Sequence, residues 1–283
     1  MGSAKPKISK KFVETDKGYV HVQETGEGRQ SLVLLSITSF GGVLVDHVLP
    51  LLALRGYQAL AIDLMGYGRS DKRDDVWLVE NFADNIEQVL DRCNVTRFGL
   101  ICGHFSSWMG IEMASRRRTG LLGMVLDGTP ILSPETRRAN LERGAGPATA
   151  WQEDGSHARE YWKRAYGIIK RLDPLMTLDP SPSRKFREAY IALLESLSFE
   201  PNTMSAANSF EVEKKLPLVS IPTLVMCGDH DWNLPYHAEI LAAIPDSREL
   251  RLQGVHPLHE LSKPERAGEY VEHIDQFFSM ILQ

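Results

Sequence analysis

Short apolar runs recur along the chain: "YVHVQE" at 19–24, "SLVLLS" at 31–36, "QALAID" at 58–63, "RFGLIC" at 97–102, "LGMVLD" at 122–127, "TLVMC" at 223–227 and "RELRLQ" at 248–253. Most are nearly continuous in hydrophobic side chains, the pattern of strands covered on both faces. Between them, apolar positions fall at helical spacing near 43–55, 80–93, 106–117, 235–244 and 264–281. Strand–helix alternation of this kind predicts an α/β fold with a mostly parallel central sheet flanked by helices.

The alternation stops between about 131 and 218, where only helical periodicity remains. Ala158, Tyr161, Trp162, Ala165, Tyr166 and Ile169 share one face, and Pro130, Pro134, Pro217 and Pro222 bracket the region. An all-helical insertion there sits over the carboxyl ends of the sheet, where open α/β folds bind ligands. The expected organisation is a core from 1–130 and 219–283 with a helical cap at 131–218.

Composition narrows the function. The 283 residues are 43% hydrophobic and 24% charged, enough to bury a sizeable core. A net charge of −5 argues against nucleic acid as a partner. Lys5, Lys7, Lys10 and Lys11 read as a solvated tail. No apolar run approaches the ~18 residues of a membrane span, and the start lacks an apolar signal core. Pro6 stands where a myristoylation signal at Gly2 would want Ser or Thr. Cys93, Cys102 and Cys227 are widely spaced, which points to reduced thiols in a cytoplasmic protein and to no metal pair. No cofactor motif is present.

Four segments carry a resemblance to the α/β-hydrolase superfamily: "VLPLLALRGYQALAIDLMGYGRSDK" (48–72), "CGHFSSWMGIEMAS" (102–115), "LVMCGDHDWNLP" (224–235) and "GVHPLHELSKPERAGEYVEHIDQFF" (254–278). The resemblance implies a cap inserted after the family's sixth strand and a nucleophile–acid–His triad. It places the acid at Asp231, after Gly228, with Asp229 outside that register. It places the His at His256, with His259 second, and Asp127 is a rival acid.

The elbow departs from the family. Crowding makes residues two places either side of the nucleophile small. With 105 as centre the flanks are Gly103 and Ser107; Ser106 would have His104 and Trp108, and Ser107 would have Phe105 and Met109. The test selects Phe105, whose side chain cannot attack a carbonyl. An ungapped match to the elbow of strigolactone-receptor-like hydrolases gives the same register. Ser36-Ile37 also stands where relatives carry the His-Gly of the oxyanion hole.

What the resemblance leaves is a His256/Asp231 general acid–base pair, an oxyanion site from the Ser106 amide with Ser36, Ile37, Thr38 and Ser39, and an apolar pocket bounded by Phe105 and Trp108. Cys102, at a strand end, reads as a buried thiol. Three functions follow. The first is a cofactor-free enzyme (lyase, cyclase, isomerase or water-activating) on a small, largely apolar carbonyl substrate. The second is a hydrolase with Ser106, Ser107 or activated water as nucleophile. The third is a non-catalytic small-molecule binder.

Overall fold

The computed structural model describes residues 6–28, 30–36, 41–143, 152–172, 188, 191–192, 194–195, 200–255 and 264–282. Eight strands form one sheet in the order β1-β2-β4-β3-β5-β6-β7-β8: β1 Ser9–Thr15, β2 Gly18–Thr25, β3 Gln30–Leu35, β4 Tyr57–Ile62, β5 Phe98–Gly103, β6 Leu121–Asp127, β7 Thr223–Gly228 and β8 Ser247–Leu252. β1 and β2 pair antiparallel, β2 meets β4 antiparallel, and the remaining pairs are parallel.

The apolar runs bury both faces because successive side chains alternate. Val33, Leu100, Cys102, Met124 and Val225 enter one core. Their chain neighbours Leu32, Leu34, Ile101, Val125, Leu224 and Met226 enter the other. The first core is covered by α2 (Val79–Arg92) and α3 (Ser106–Ser115), the second by α1 (Val48–Leu54) and, at the chain's end, a helix at Pro264–Phe278. Gly99 permits the close approach of that last helix: a Cβ there would lie 2.7 Å from Cδ1 and Cζ of Phe278.

One expectation is corrected. Residues 9–15, including Lys10 and Lys11, are not a solvated tail but the edge strand β1, paired along its length with β2. The helix expected over 43–55 is a 3₁₀ turn at Gly41–Val45 followed by α1.

Between β6 and β7 the described elements are helical: α4 Pro134–Arg143, α5 Ser156–Leu172, α6 Glu200–Ser209 and α7 Val212–Lys215. Buried Arg137 of α4 pairs with Glu213 of α7, 3.0 Å from Nη1 to Oε2, and holds the Glu213 carboxyl below its usual range. Lys215 reaches Glu112 of α3 at 2.8 Å and ties the segment to the helix that follows β5. After β7 come α8, His237–Ala243, and α9, the Pro264–Phe278 helix already placed.

Candidate active site

Three adjacent strand ends meet at one point. β5 ends at Gly103, and the His104 amide donates to the Asp127 carbonyl at 2.9 Å, so the pairing with β6 runs into the turn. The chain then reverses at His104, whose φ is 51°. A left-handed backbone is uncommon for a residue with a side chain, and such outliers cluster at functional sites. Phe105 has φ −57° and ψ −38°, right-handed helical values, and leads into α3.

The strained tip of the elbow is therefore His104, one residue before the expected position. Phe105 turns inward instead, edge-on to Phe82 at 6.0 Å and to Trp108 at 5.4 Å, and is part of the core. Trp108 is likewise a core residue, its Nε1 donating to the Pro130 carbonyl at 2.9 Å. Both side chains are packed among other aromatic rings.

The His104 ring meets the residues that follow β7. Its Nε2 lies 3.0 Å from Asp231 Oδ2, and both side chains are largely buried. The other Asp231 oxygen accepts the Asn233 amide at 2.7 Å. Asn233 Nδ2 donates to the Gly128 carbonyl at 2.7 Å and stands 3.4 Å from His104 Nδ1. These contacts assign the tautomer. The Gly128 carbonyl can only accept, so the Asn233 atom facing it is nitrogen, and its second hydrogen points toward a lone pair on Nδ1. In the neutral form of the ring, Nε2 carries the proton and donates it to the Asp231 carboxylate. Trp232, 48% exposed, packs edge-on against the ring at a centroid distance of 5.1 Å.

Both serines of the elbow face the backbone. Ser106 Oγ donates to the Gly103 carbonyl at 2.9 Å and accepts the Gly103 amide at 3.1 Å; Ser107 Oγ points to the Cys102 carbonyl at 3.5 Å. Both residues are fully buried. Both hydroxyls are engaged with the backbone, which speaks against Ser106 or Ser107 as the nucleophile of the second function. Cys102 is a buried thiol pushed far above its ordinary range by burial, unsuited to attack.

Ser36 is buried and its Oγ accepts the Leu64 amide at 3.1 Å, bracing the ends of β3 and β4. Ile37, Thr38 and Ser39 lie outside the described residues, as do His256 and His259. Asp127 stands at the end of β6, but the carboxylate that reaches the His104 ring is that of Asp231. Asp229 instead braces the backbone after β8. Its two oxygens accept the amides of Gly254 and Val255, each at 3.0 Å, which holds its carboxyl below the usual range. Among the described residues no group of three or more His, Cys, Asp or Glu is placed to hold a metal ion, and no helix is long and apolar enough to cross a membrane.

Sequence reasoning missed His104, Trp232 and Asn233. One signal for His104 was present: its neighbours two places away, Cys102 and Ser106, are themselves small.

The alpha/beta hydrolase fold family matches residues 33–259, and the chain belongs to it. A curated relative, 3-oxoadipate enol-lactonase 1 of Acinetobacter baylyi, is 24% identical over 186 residues, 62% of this chain and 62% of that protein's length. Among solved structures, an enol-lactonase from Burkholderia xenovorans superposes with a TM-score of 0.77 at 17% identity, covering 95% of this chain and all of that one. The epoxide hydrolase VrEH1 from Vigna radiata gives a TM-score of 0.71 at 20% identity, covering 96% and 98%. These similarities show the fold.

Proposed function

We propose that the chain is a hydrolase of small carbonyl compounds of the ester or lactone class, acting through water activated by His104 rather than through a covalent acyl-enzyme. The observation that carries this reading is the buried contact between His104 Nε2 and Asp231 Oδ2, 3.0 Å, on the strained turn at the carboxyl end of β5.

With Nε2–H held by the carboxylate, Nδ1 is the free base of the ring. Its contact to Asn233 at 3.4 Å is long and yields to a better partner. Water hydrogen-bonded to Nδ1 attacks the substrate carbonyl as its proton passes to the ring. The Asp231 carboxylate stabilises the imidazolium. Collapse of the tetrahedral species breaks the acyl C–O bond, and the ring returns its proton to the leaving oxygen. Proton balance is closed over the cycle. An enol ester or enol lactone suits this site because its leaving group is a stabilised enolate. The curated relative's activity supports that choice of class. The exposed indole of Trp232 beside His104 supports a largely apolar substrate. The helices of 131–218 act as the cap in this reading.

The same base would also remove a proton α to a carbonyl, so a lyase or cyclase reaction is the second reading, favoured by the absence of a presented hydroxyl at the elbow. The test is a panel of enol lactones and aryl esters assayed for acid release, with intact mass recorded in the steady state. Turnover with no acyl adduct is expected. A stoichiometric acyl adduct would overturn the activated-water route. Proton exchange or carbon–carbon cleavage without acid release would replace the hydrolase by the second reading.

A further inference from the structure

Asn233 opens the 3₁₀ turn Leu234–Tyr236 that follows β7. An asparagine in that place ordinarily turns its side chain onto the amides of the turn it starts. Here the side chain makes no such bond. It reaches back across the strand ends instead, with Nδ2 2.7 Å from the Gly128 carbonyl after β6 and 3.4 Å from His104 Nδ1 after β5. The residue is buried, and its backbone is right-handed, φ −87° and ψ −2°, which other side chains adopt as readily. What distinguishes asparagine here is the carboxamide and what it touches.

Asp231 restrains one nitrogen of the His104 ring, Nε2. A ring held there alone keeps a rotation about that bond. The Asn233 side chain supplies the second restraint. The Gly128 carbonyl takes one Nδ2 hydrogen and fixes the plane of the carboxamide, so the other hydrogen faces Nδ1. Opposed N–H groups repel, so the place across from Nδ2 suits a lone pair. At 3.4 Å the contact orients that lone pair without holding it against an incoming water.

We propose that Asn233 is the positioning residue of the dyad: its side-chain amide, anchored on the Gly128 carbonyl, holds the His104 ring in one orientation with Nδ1 bare. This rests on the reading of His104 as the general base. Carboxylate and carboxamide then act on opposite nitrogens of one ring. The backbone amide of Asn233, which donates to Asp231 Oδ1 at 2.7 Å, survives any replacement of the side chain except by proline, so variants read the carboxamide by itself.

The test follows the ring nitrogens of His104 by NMR, alongside lactone turnover, in Asn233→Leu and Asn233→Asp. Both replacements are close to asparagine in size; Leu removes the donor, and Asp puts an acceptor in its place. In alkaline solution the parent should show one tautomer, protonated at Nε2 and bare at Nδ1. In Asn233→Asp the ring stands between two carboxylates, which favours its charged form. The Nδ1 signal should move to the protonated range, and kcat should fall ~10²-fold or more as the base is lost. In Asn233→Leu the ring keeps one restraint, and kcat should fall about tenfold to hundredfold with KM little changed. A tie that only braced the loops would lower both melting temperatures and leave Nδ1 alike in parent and Asn233→Asp. That result, or a kcat in Asn233→Leu equal to the parent's, would overturn the proposal. Because the ring signals are read without substrate, a parent that shows them and hydrolyses no lactone or ester would sink the hydrolase reading and not the placement of the ring by Asn233.

Discussion

His104 Nε2 lies 3.0 Å from Asp231 Oδ2, across the gap between the ends of β5 and β7. The carboxylate that a triad would commit to a histidine on a later loop is engaged by the residue at the elbow itself. In the proposed mechanism, base and elbow are one residue.

The base can be removed without disturbing the turn. Asn is tolerated in the left-handed region that His104 occupies, so His104→Asn keeps the backbone and loses the imidazole. General-base catalysis contributes ~10²–10⁴-fold, and His104→Asn should lower kcat by that factor with little change in KM. Asp231→Asn should cost somewhat less, and the double variant no more than His104→Asn alone, because the pair acts as a unit. Steady-state kinetics on an accepted lactone checks all three. A His104→Asn enzyme within a few-fold of the parent would remove the mechanism.

A fluorophosphonate serine probe should leave the chain unlabelled, while a serine-bearing relative treated alongside is modified. Ser106 Oγ is held by both polar groups of Gly103, and Ser107 is fully buried. Ser106→Ala should cost roughly 1 kcal/mol of stability for the lost local bonds and leave kcat within a few-fold. Labelling at either serine, read by peptide mapping, would contradict the geometry.

The strands were legible because parallel strands buried on both faces are written as unbroken apolar runs; "QALAID" marks β4, Tyr57–Ile62, to within a residue. β1 escaped because it is an edge strand: in "SKKFVET" only Val13 and Thr15 are buried, so no run appears. Asp231 was legible through the family's Gly-x-x-Asp pattern, and it does reach a histidine ring. His104 was hidden by a shift of one residue. The sequence matches the family's elbow with Phe105 at the tip, but the apolar ring packs edge-on to both Phe82 and Trp108. The polar residue before it takes the strained position. Only the three-dimensional convergence of β5, β6 and β7 shows what that residue touches.

Gly128→Ala should uncouple the dyad. Gly128 has φ 58°, and a Cβ there would collide with Asp231 Oδ2 and lie 2.9 Å from His104 Nε2. The left-handed backbone alone costs a side chain roughly 1–2 kcal/mol. Gly155 is a matched control: its φ is 70° and nothing lies within 4 Å of its would-be Cβ. Both alanine variants should lose a few degrees of melting temperature, at about 2–4 °C per kcal/mol. Only Gly128→Ala should also lose most of its kcat. Equal activity in the two would show that the contact between His104 and Asp231 is not needed.

A pH dependence follows from His237, at the start of α8. It is 4% exposed, and burial lowers its pKa from the ordinary 6.5, an effect only partly opposed by Glu249, whose Oε1 lies 3.1 Å from Nε2. In the folded chain His237 therefore binds a proton less readily than in the unfolded chain. Between the two pKa values the unfolded state holds more protons, so stability rises with pH across that window. Read downward, stability is lost as pH falls through about 6.5, the unfolded value, and the loss is complete below the folded value. His237→Gln keeps a polar group toward Glu249 but cannot titrate. Melting temperatures measured from about pH 7.5 to 5 should decline in the parent and decline less steeply in the variant, with the two curves converging at the acid end. Parallel curves would show that His237 binds its proton equally well in both states, and that the burial around α8 is looser than this structure shows.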